Sequence, residues 1–254
     1  MTKIIGLIPA RMSASRFPGK PLFPIHDKPM VEHVWHRAAM YPKWDKLAIC
    51  TPDTQIEDFA KSKGFDVVMT ADTHVRALDR VAEAAGKCGV TVEANDIVVC
   101  VQGDEPMMRP DMIDAVCKPF EDKDVNASVL AMHITDEAIF KNPDTVKLVH
   151  DIHGDVLYTS RSPIPYAKSF SPELGARRIY GILAFRWHYL QTFLALEPTP
   201  LELKEACDSN RICGSGLKQR VAPYPNIPSY SVDSPADRAF VEREIVKDPF
   251  WGKY

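Results

Sequence analysis

Long apolar runs and paired cysteines are missing from this sequence of 254 residues. Its opening segment, MTKIIGLIPAR, is too short for a signal sequence and far shorter than the roughly 20 apolar residues that span a bilayer. The six cysteines form no Cys-x-x-Cys pair and stand apart at positions 50, 88, 100, 117, 207 and 213. We therefore expect a cytoplasmic protein with reduced thiols rather than a disulfide framework or a zinc site.

An excess of charge of either sign is also missing. Lysine and arginine together number 31 against 34 acidic residues, which leaves a formal net charge of −3. Electrostatic binding to nucleic acid or to an anionic membrane requires a strongly basic surface. We therefore expect neither partner, and any basic site must be local.

The glycine patterns of the common nucleotide-binding loops are absent too. No Gly-x-Gly-x-x-Gly occurs, so a dinucleotide oxidoreductase is unsupported. A P-loop would need glycine in place of Ala14 and serine or threonine in place of Pro21. No nucleophile elbow or Ser-His-Asp set is evident, which argues against acyl transfer.

The chain does contain short apolar runs that alternate with helical patterns. The runs predict strands at 3–8, 45–51, 66–69 and 96–101, and the patterns between them predict helices at 30–40, 54–63 and 76–88, the last ending at Gly89. This order predicts an α/β protein with a doubly wound, mostly parallel sheet through about residue 120. Beyond it we expect a β-hairpin lobe at 146–158 and a final helix capped by Ser234.

A loop with three cations follows the first predicted strand. It reads IPARMSASRFPGKP and places Arg11, Arg16 and Lys20 at the carboxyl edge of the sheet, where open α/β folds bind ligands. These cations can neutralise a triphosphate and the charge of a departing group, while Ser13, Ser15 and loop amides supply uncharged donors. A solvated basic loop is the alternative.

A second candidate site is VVCVQGDEP, a buried strand followed by Gln102, Asp104 and Glu105. A carboxylate at the end of a central parallel strand is well placed to hold Mg²⁺ against phosphate oxygens. Asp233, ahead of the last predicted helix, is a candidate second ligand. The alternatives are an Asx turn at Asp104 and a charge at a helix N-terminus at Asp233. Beside a basic loop, the metal and phosphate hypothesis is favoured.

Arg80 and Arg161 are suited to a phosphate or a carboxylate, although exposed arginines usually contact only solvent. The histidine pairs at 33 and 36 and at 150 and 153 lack the further ligands of a zinc site, so we expect structural roles for them. The chemistry indicated by these segments is phosphoryl or nucleotidyl transfer.

Taken together, the segments resemble the cytidylyltransferases that activate 3-deoxy-manno-octulosonate (Kdo), the CMP-Kdo synthetases. The resemblance covers nearly the whole chain and includes IPARMSASRFPGKPL, KPMVEHVWHRA, VVMTADTH, DIVVCVQGDEPMM, NPDTVKLV, LYTSRSPIPY, GILAFR, PTPLELKEA and VDSPADR. It implies a nucleotide-diphosphosugar transferase fold, which is Rossmann-like, and a homodimer formed through the hairpin lobe. It also implies a Mg²⁺-dependent attack of a sugar-acid hydroxyl on the α-phosphate of CTP, with release of pyrophosphate, in lipopolysaccharide or capsule synthesis.

The same resemblance implies one cytidylyltransferase domain over 1–254, with a nucleotide-binding half at 1–120 and an acceptor-binding and dimerisation half at 121–254. It assigns catalytic roles to Arg11, Lys20 and Asp104, and magnesium binding to Asp104 and Asp233. The implied nucleotide-binding residues are Ala10, Arg11, Ser15, Arg16, Lys20, Arg80 and Gln102. Those implied for the acceptor are Arg161, Tyr180 and Asp208.

The sequence departs from the family pattern at several of these places. The family's Ser-Gly-Thr-Asp-Arg stands here as Arg76-Ala77-Leu78-Asp79-Arg80, and a usual serine is Ala14. In the acceptor-binding stretches a histidine is replaced by Ile179, and a Glu-Gln pair by Asp208-Ser209. Because lost hydrogen bonds to hydroxyls change substrate discrimination strongly, a different acid acceptor is an alternative. A pseudoenzyme that binds CTP without turnover is another.

Overall fold

A computed structural model describes residues 2–13 and 17–254 of the chain. Within them the strands are β1 Ile4–Pro9, β2 Pro24–Ile25, β3 Lys28–Pro29, β4 Lys46–Thr51, β5 Val67–Met69, β6 Ile97–Val101, β7 Ala127–His133, β8 Lys147–His150, β9 Val156–Ser160, β10 Arg177–Arg186 and β11 Arg220–Tyr224. All four strands expected in the first half are confirmed to within a residue at each end. The two-residue strands β2 and β3 and the longer strands β7 and β11 were not predicted.

The helices are α1 Met30–Ala39, α2 Thr54–Ser62, α3 Ala77–Ala85, α4 Pro110–Cys117, α5 Glu137–Lys141, α6 Trp187–Leu194, α7 Pro200–Glu205, α8 Ser209–Gly214 and α9 Pro235–Glu244. Short 3₁₀ turns occupy Lys20–Leu22, Lys118–Glu121, Pro172–Leu174 and Ile245–Lys247. None of the helices in the described ranges is both long enough and apolar enough to pass through a membrane.

The start of α3 is confirmed to within one residue, whereas its predicted end was wrong. Arg76 has extended backbone angles, φ −107° and ψ 153°, and precedes the helix, while Gly86 rather than Gly89 ends it. The apolar pattern continues beyond Gly86, but glycine has a high entropic cost within a helix, so the helix ends there.

The chain divides into two compact units, Met1–Asp114 with Pro228–Tyr254, and Ala115–Ile227. In the first unit the strands lie in the order β6, β1, β4, β5, and all neighbours are parallel. Their side chains are almost wholly buried, as expected for a parallel sheet covered by helices. The central strand β1 and its neighbour β6 end at the same edge of this sheet.

An apolar cluster packs the segment 228–254 against the early part of the first unit. Val232, Val241 and Ile245 are fully buried and pack with Ile25 and Met30, which lie close together near the start of the chain. The predicted cap of α9 is confirmed, because Ser234 and Asp237 form a reciprocal capping box. This packing places Asp233 in the same unit as Asp104.

The second unit has a mixed sheet. Strand β7 pairs parallel with β11 and antiparallel with β10, whose beginning also pairs with β8. The predicted hairpin is confirmed as the antiparallel pair β8 and β9, with Gly154 in its turn at φ +82°. The six cysteines, all within the described residues, form no disulfide with one another, and Cys50, Cys88 and Cys100 are buried.

Candidate active site

A cleft of about 240 Å³ lies at the carboxyl edge of the parallel sheet in the first unit. The structure brings together seven residues that the sequence had suggested, and all of them line this cleft: Ala10, Arg11, Lys20, Arg80, Gln102, Asp104 and Asp233. Ala14, Ser15 and Arg16 lie outside the described residues.

The loops after β1 and β6 meet because the two strands are parallel neighbours. Gln102, Gly103 and Asp104 follow β6 and run close to the end of β1. A Cβ atom on Gly103 would lie 2.6 Å from the carbonyl oxygen of Pro9, which is closer than real contacts allow. Glycine at this position therefore permits the approach that puts Asp104 beside the basic loop.

Lys20 joins three parts of the first unit. Its ammonium donates to Oδ2 of Asp104 at 2.9 Å and to the carbonyl oxygen of Val232 at 2.8 Å, and it lies 3.7 Å from Oδ1 of Asp233. The amide of Val232 in turn donates to the carbonyl oxygen of Asp104 at 2.9 Å. One ammonium thus holds two carboxylates, and its charge offsets their mutual repulsion.

The free oxygen of Asp104 identifies a place for a cation. Its Oδ1 atom is buried and has no hydrogen-bond partner in the described ranges. A buried carboxylate oxygen without a partner is unfavourable, and an oxygen pair from two carboxylates suits Mg²⁺. The residues present therefore fit a magnesium ion held by Asp104 and Asp233. No cluster of three or more His, Cys, Asp or Glu side chains with metal-site spacing occurs among the residues described.

Two side chains of α3 bind the segment 70–74, which forms one wall of the cleft. Arg80, only 2% exposed, donates to Oγ1 of Thr70 at 2.6 Å and to the carbonyl oxygens of Ala71 and His74, both at 3.2 Å. Glu83, one turn further on, accepts from the Ala71 amide at 2.9 Å and from Nε2 of His74 at 2.5 Å. Burial lowers the pKa of Arg80, and the charge of Arg11 lowers it further.

Arg11 and the residues beside it are held by the same wall, by β4 and by Asp53, the N-cap residue of α2. The Arg11 guanidinium donates to the carbonyl oxygen of His74 at 3.4 Å, and the amide of Met12 donates to Oδ2 of Asp53 at 2.8 Å. The amide of Ala10 donates to the carbonyl oxygen of Cys50 at 3.0 Å. These contacts fix the start of the basic loop against the sheet.

The three residues suggested for the acceptor lie in the second unit. Arg161 donates from its amide to Glu205 Oε2 at 2.8 Å, and from its side chain to the carbonyl oxygens of Glu205 at 2.9 Å and Pro143 at 3.0 Å. Tyr180 lies within β10 and is 1% exposed, with the guanidinium of Arg178 5.7 Å from the centre of its ring. Asp208 is the N-cap residue of α8.

A buried lysine holds the segment that carries Arg161. The ammonium of Lys147, which is fully buried, donates to the carbonyl oxygens of Asn142 at 2.8 Å, Thr145 at 2.6 Å and Arg161 at 2.5 Å. Burial lowers the pKa of Lys147, and the neighbouring charge of Arg161 lowers it further.

A family model described as cytidylyltransferase matches residues 5–219. The chain belongs to the cytidylyltransferase family. It is 40% identical over 235 residues to the 3-deoxy-manno-octulosonate cytidylyltransferase of Nitratidesulfovibrio vulgaris (strain DP4), covering 91% of this chain and 92% of that protein. Its counterpart in Chromohalobacter salexigens is 38% identical over 256 residues, covering 97% and 98%.

Solved structures of other cytidylyltransferases share this fold. A CMP:2-keto-3-deoxy-manno-octonic acid synthetase complexed with CTP superposes with a TM-score of 0.87 at 32% identity, covering 97% of this chain and 99% of that one. A cytidylyltransferase from Leptospira borgpetersenii has a TM-score of 0.63 at 17% identity, covering 97% and 88%, and shows the fold alone. The α/β class and the family resemblance are confirmed, and the protein is a nucleotidyltransferase.

Sequence reasoning missed part of the cytidylyltransferase cleft. His74 and Val75 line it, together with Arg76 and Ala77, which the family resemblance had already singled out as altered positions. The run Asp72-Thr73-His74 ahead of the helix was the available signal, because polar residues before an apolar periodic segment favour a loop.

Proposed function

We propose that this cytidylyltransferase transfers CMP from CTP to a sugar acid of the 3-deoxy-manno-octulosonate type and releases pyrophosphate. The observation that carries the proposal is the position of Lys20 against Asp104 and Asp233, in a cleft also lined by Arg11 and Arg80. Cations suited to a triphosphate and carboxylates suited to a divalent cation lie side by side there. The names of the relatives support both the nucleotide and the acceptor.

In this proposal the cleft residues bind and orient the nucleotide. Arg11 and Lys20 neutralise the triphosphate and the charge that develops on pyrophosphate as it leaves. Arg80 keeps the wall at 70–74 in place and faces the nucleotide. Ala10 and Gln102 contact the nucleoside. Ser15 and Arg16 are assigned to the nucleotide from the sequence alone.

Asp104 and Asp233 would hold Mg²⁺, and Lys20 keeps Asp104 oriented toward it. When bound, the metal supplies Lewis-acid stabilisation of the phosphoryl oxygens and lowers the pKa of the attacking hydroxyl. Displacement at phosphorus then depends mainly on how the protein positions the two substrates and neutralises charge, so no dedicated base is required.

For the acceptor, we propose that Arg161 binds the carboxylate of the sugar acid, with Tyr180 and Asp208 shaping the surroundings. A guanidinium suits a carboxylate because it offers two parallel donors. The backbone of Arg161 is already held by Glu205 and Lys147, which favours a fixed orientation of its side chain.

The assembly belongs to the same proposal. The chain would form one cytidylyltransferase domain that works as a cytoplasmic homodimer, with the hairpin of β8 and β9 as its dimerisation lobe. Ile152 and Leu157 on this hairpin are 96% and 59% exposed, which suits an apolar contact between subunits. Light scattering of the purified protein and of Leu157→Asp tests this, and a monomeric wild-type protein would contradict it.

The activity is tested by pyrophosphate release with CTP, MgCl₂ and Kdo, with each of the other three nucleoside triphosphates as a control. Release with CTP and Kdo supports the proposal. Release only with another sugar acid or a phosphonate would identify a different acceptor, which the replacements at Ile179 and Asp208-Ser209 make the leading alternative. CTP binding without release for any acid would show a pseudoenzyme and contradict the proposal.

A further inference from the structure

The described part of the cleft carries an excess of positive charge. Four of the residues that line it have cationic side chains and two are aspartates, so their formal charges leave an excess of two positive charges. Lys20 lies against both carboxylates. The excess is therefore concentrated on the three arginines, Arg11, Arg76 and Arg80.

Two of these arginines are already bound to the wall itself. Arg11 and Arg80 both donate to the carbonyl oxygen of His74, at 3.4 Å and 3.2 Å. Two guanidinium groups that share one acceptor repel each other, and an anion bound nearby reduces that repulsion. The wall therefore favours a negatively charged ligand.

The third arginine, Arg76, lies two residues beyond that shared carbonyl. It is partly exposed, it lines the cleft, and both its neighbours, Val75 and Ala77, line it as well. Its backbone is held from both sides, because His74 is fastened by Arg80 and Glu83 and α3 begins at Ala77. A backbone held in this way lowers the entropic cost of bringing the Arg76 side chain to a ligand in the cleft.

We propose that Arg76 binds the triphosphate of the nucleotide and thereby supplies a salt-sensitive part of the affinity for CTP. The inference deepens the proposed function and rests on it, since it takes CTP as the ligand. The family pattern quoted above has a serine here, so this contact would distinguish the chain within its family. A guanidinium offers paired, charge-assisted hydrogen bonds to phosphate oxygens, whereas a serine hydroxyl offers one uncharged donor.

The test is calorimetric binding of CTP and of cytidine, without acceptor, to the wild-type protein and to Arg76→Ser and Arg76→Lys. We expect Arg76→Ser to raise the Kd for CTP about tenfold and to leave the Kd for cytidine unchanged, because only CTP carries the charge. The loss should shrink at high ionic strength, where exposed charges are screened. Arg76→Lys should recover part of the affinity, since it keeps the charge but not the paired donors.

Arg243→Ser is the matched control. Arg243 is an exposed arginine on α9 that donates to the carbonyl oxygen of Ala239 at 2.9 Å, and it does not line the cleft. Its replacement should leave both affinities unchanged, which separates a contact at Arg76 from a general change of net charge.

An unchanged Kd for CTP in Arg76→Ser would overturn the inference while leaving the proposed function intact. Equal losses for CTP and cytidine would also overturn it, because they would mean that Arg76 acts on the nucleoside or on the wall. Absence of CTP binding by the wild-type protein would instead overturn the proposed function, and this inference with it.

Discussion

The ammonium of Lys20 lies 2.9 Å from Oδ2 of Asp104, while Oδ1 of the same carboxylate is buried with no partner among the described residues. Leaving such an oxygen without a donor costs about 1–3 kcal/mol. A protein retains this arrangement most readily where a ligand completes it, and an adjacent basic cleft makes a metal-bound triphosphate the natural complement.

Asp104→Asn tests the metal assignment. The amide keeps the shape of the side chain but removes the negative charge, so we expect pyrophosphate release to fall on the order of 1,000-fold. The measurement is kcat with CTP and acceptor over a titration of MgCl₂. Asp111→Asn is the control, because Asp111 pairs with Arg109 outside the cleft and its side chain is 53% exposed. Near-normal activity of Asp104→Asn would remove Asp104 from the metal site.

Gly103→Ala tests the close approach between the loops after β1 and β6. The added methyl group would lie 2.6 Å from the carbonyl oxygen of Pro9, and that backbone cannot move without shifting the basic loop. We expect urea unfolding to show a loss of about 1–3 kcal/mol, together with weaker CTP binding. In Gly86→Ala, the control, the nearest atom is 3.5 Å away and stability should not fall. Equal stability of both variants would contradict the geometry.

Glu83 makes a prediction about pH. The side chain of Lys87, the amide of Ala71 and His74 hold the pKa of Glu83 at about 2, below its ordinary value of 4.5. A lowered pKa in the folded state means that the stabilisation is fully present above pH 4.5 and disappears as the pH falls toward 2.

The difference in unfolding free energy between wild type and Glu83→Gln should accordingly be largest near neutral pH and shrink below pH 4.5. Glu57→Gln is the control, because Glu57 also pairs with a lysine four residues on, Lys61, and its side chain is similarly exposed, 21% against 19%. A difference that stays constant between neutral pH and about pH 3 would show that the charge of Glu83 is not what fastens the wall.

His33 makes a second prediction about pH, in the core of the first unit. Its Nε2 atom donates to the carbonyl oxygen of Ile25 at 2.9 Å, and Nδ1 accepts from the hydroxyl of Tyr254 at 2.8 Å, which itself accepts from Nε of Arg37 at 3.1 Å. This arrangement requires a neutral ring, and burial lowers the pKa of His33 from 6.5 to about 4.

The unfolded chain therefore binds a proton at His33 between pH 6.5 and 4 that the folded chain does not. Stability from this group is complete above pH 6.5 and falls by about 1.4 kcal/mol per pH unit below it. His33→Gln should lose this dependence in urea unfolding, whereas His150→Gln, at an exposed histidine, should retain it. The same slope in His33→Gln as in wild type would assign the pH dependence to another group.

Local patterns in the sequence were enough to predict most elements of the first unit. The runs that became β1, β4, β5 and β6 are short and mostly apolar, which favours buried parallel strands over amphipathic helices. Because parallel strands end at one edge, Arg11, Gln102 and Asp104 could be expected to lie together before any coordinates were known. The cap of α9 at Ser234 was equally local, since it depends on residues three apart.

The course of the segment before α3 was not decided locally. The predicted helix began at Arg76, yet Arg76 has extended backbone angles, and Arg80 and Glu83 bind the backbone at 71–74 and hold that segment as a wall of the cleft. The buried guanidinium of Arg80 donates hydrogen bonds to this segment, and the carboxylate of Glu83 accepts hydrogen bonds from it. These bonds outweigh helix propensities, which differ by only a few tenths of a kcal/mol per residue.

By itself, then, the sequence determined the α/β class, the order of strands and helices in the first unit and the family, because each depends on residues that are neighbours along the chain. Only the tertiary structure decided that Lys20 bridges Asp104 and Asp233, that Gly103 must pass the carbonyl oxygen of Pro9, and that Arg76 is among the residues that line the cleft. Those relationships join residues far apart in sequence. They exist because the buried cluster around Val232 and the parallel pairing of β1 with β6 bring these segments together.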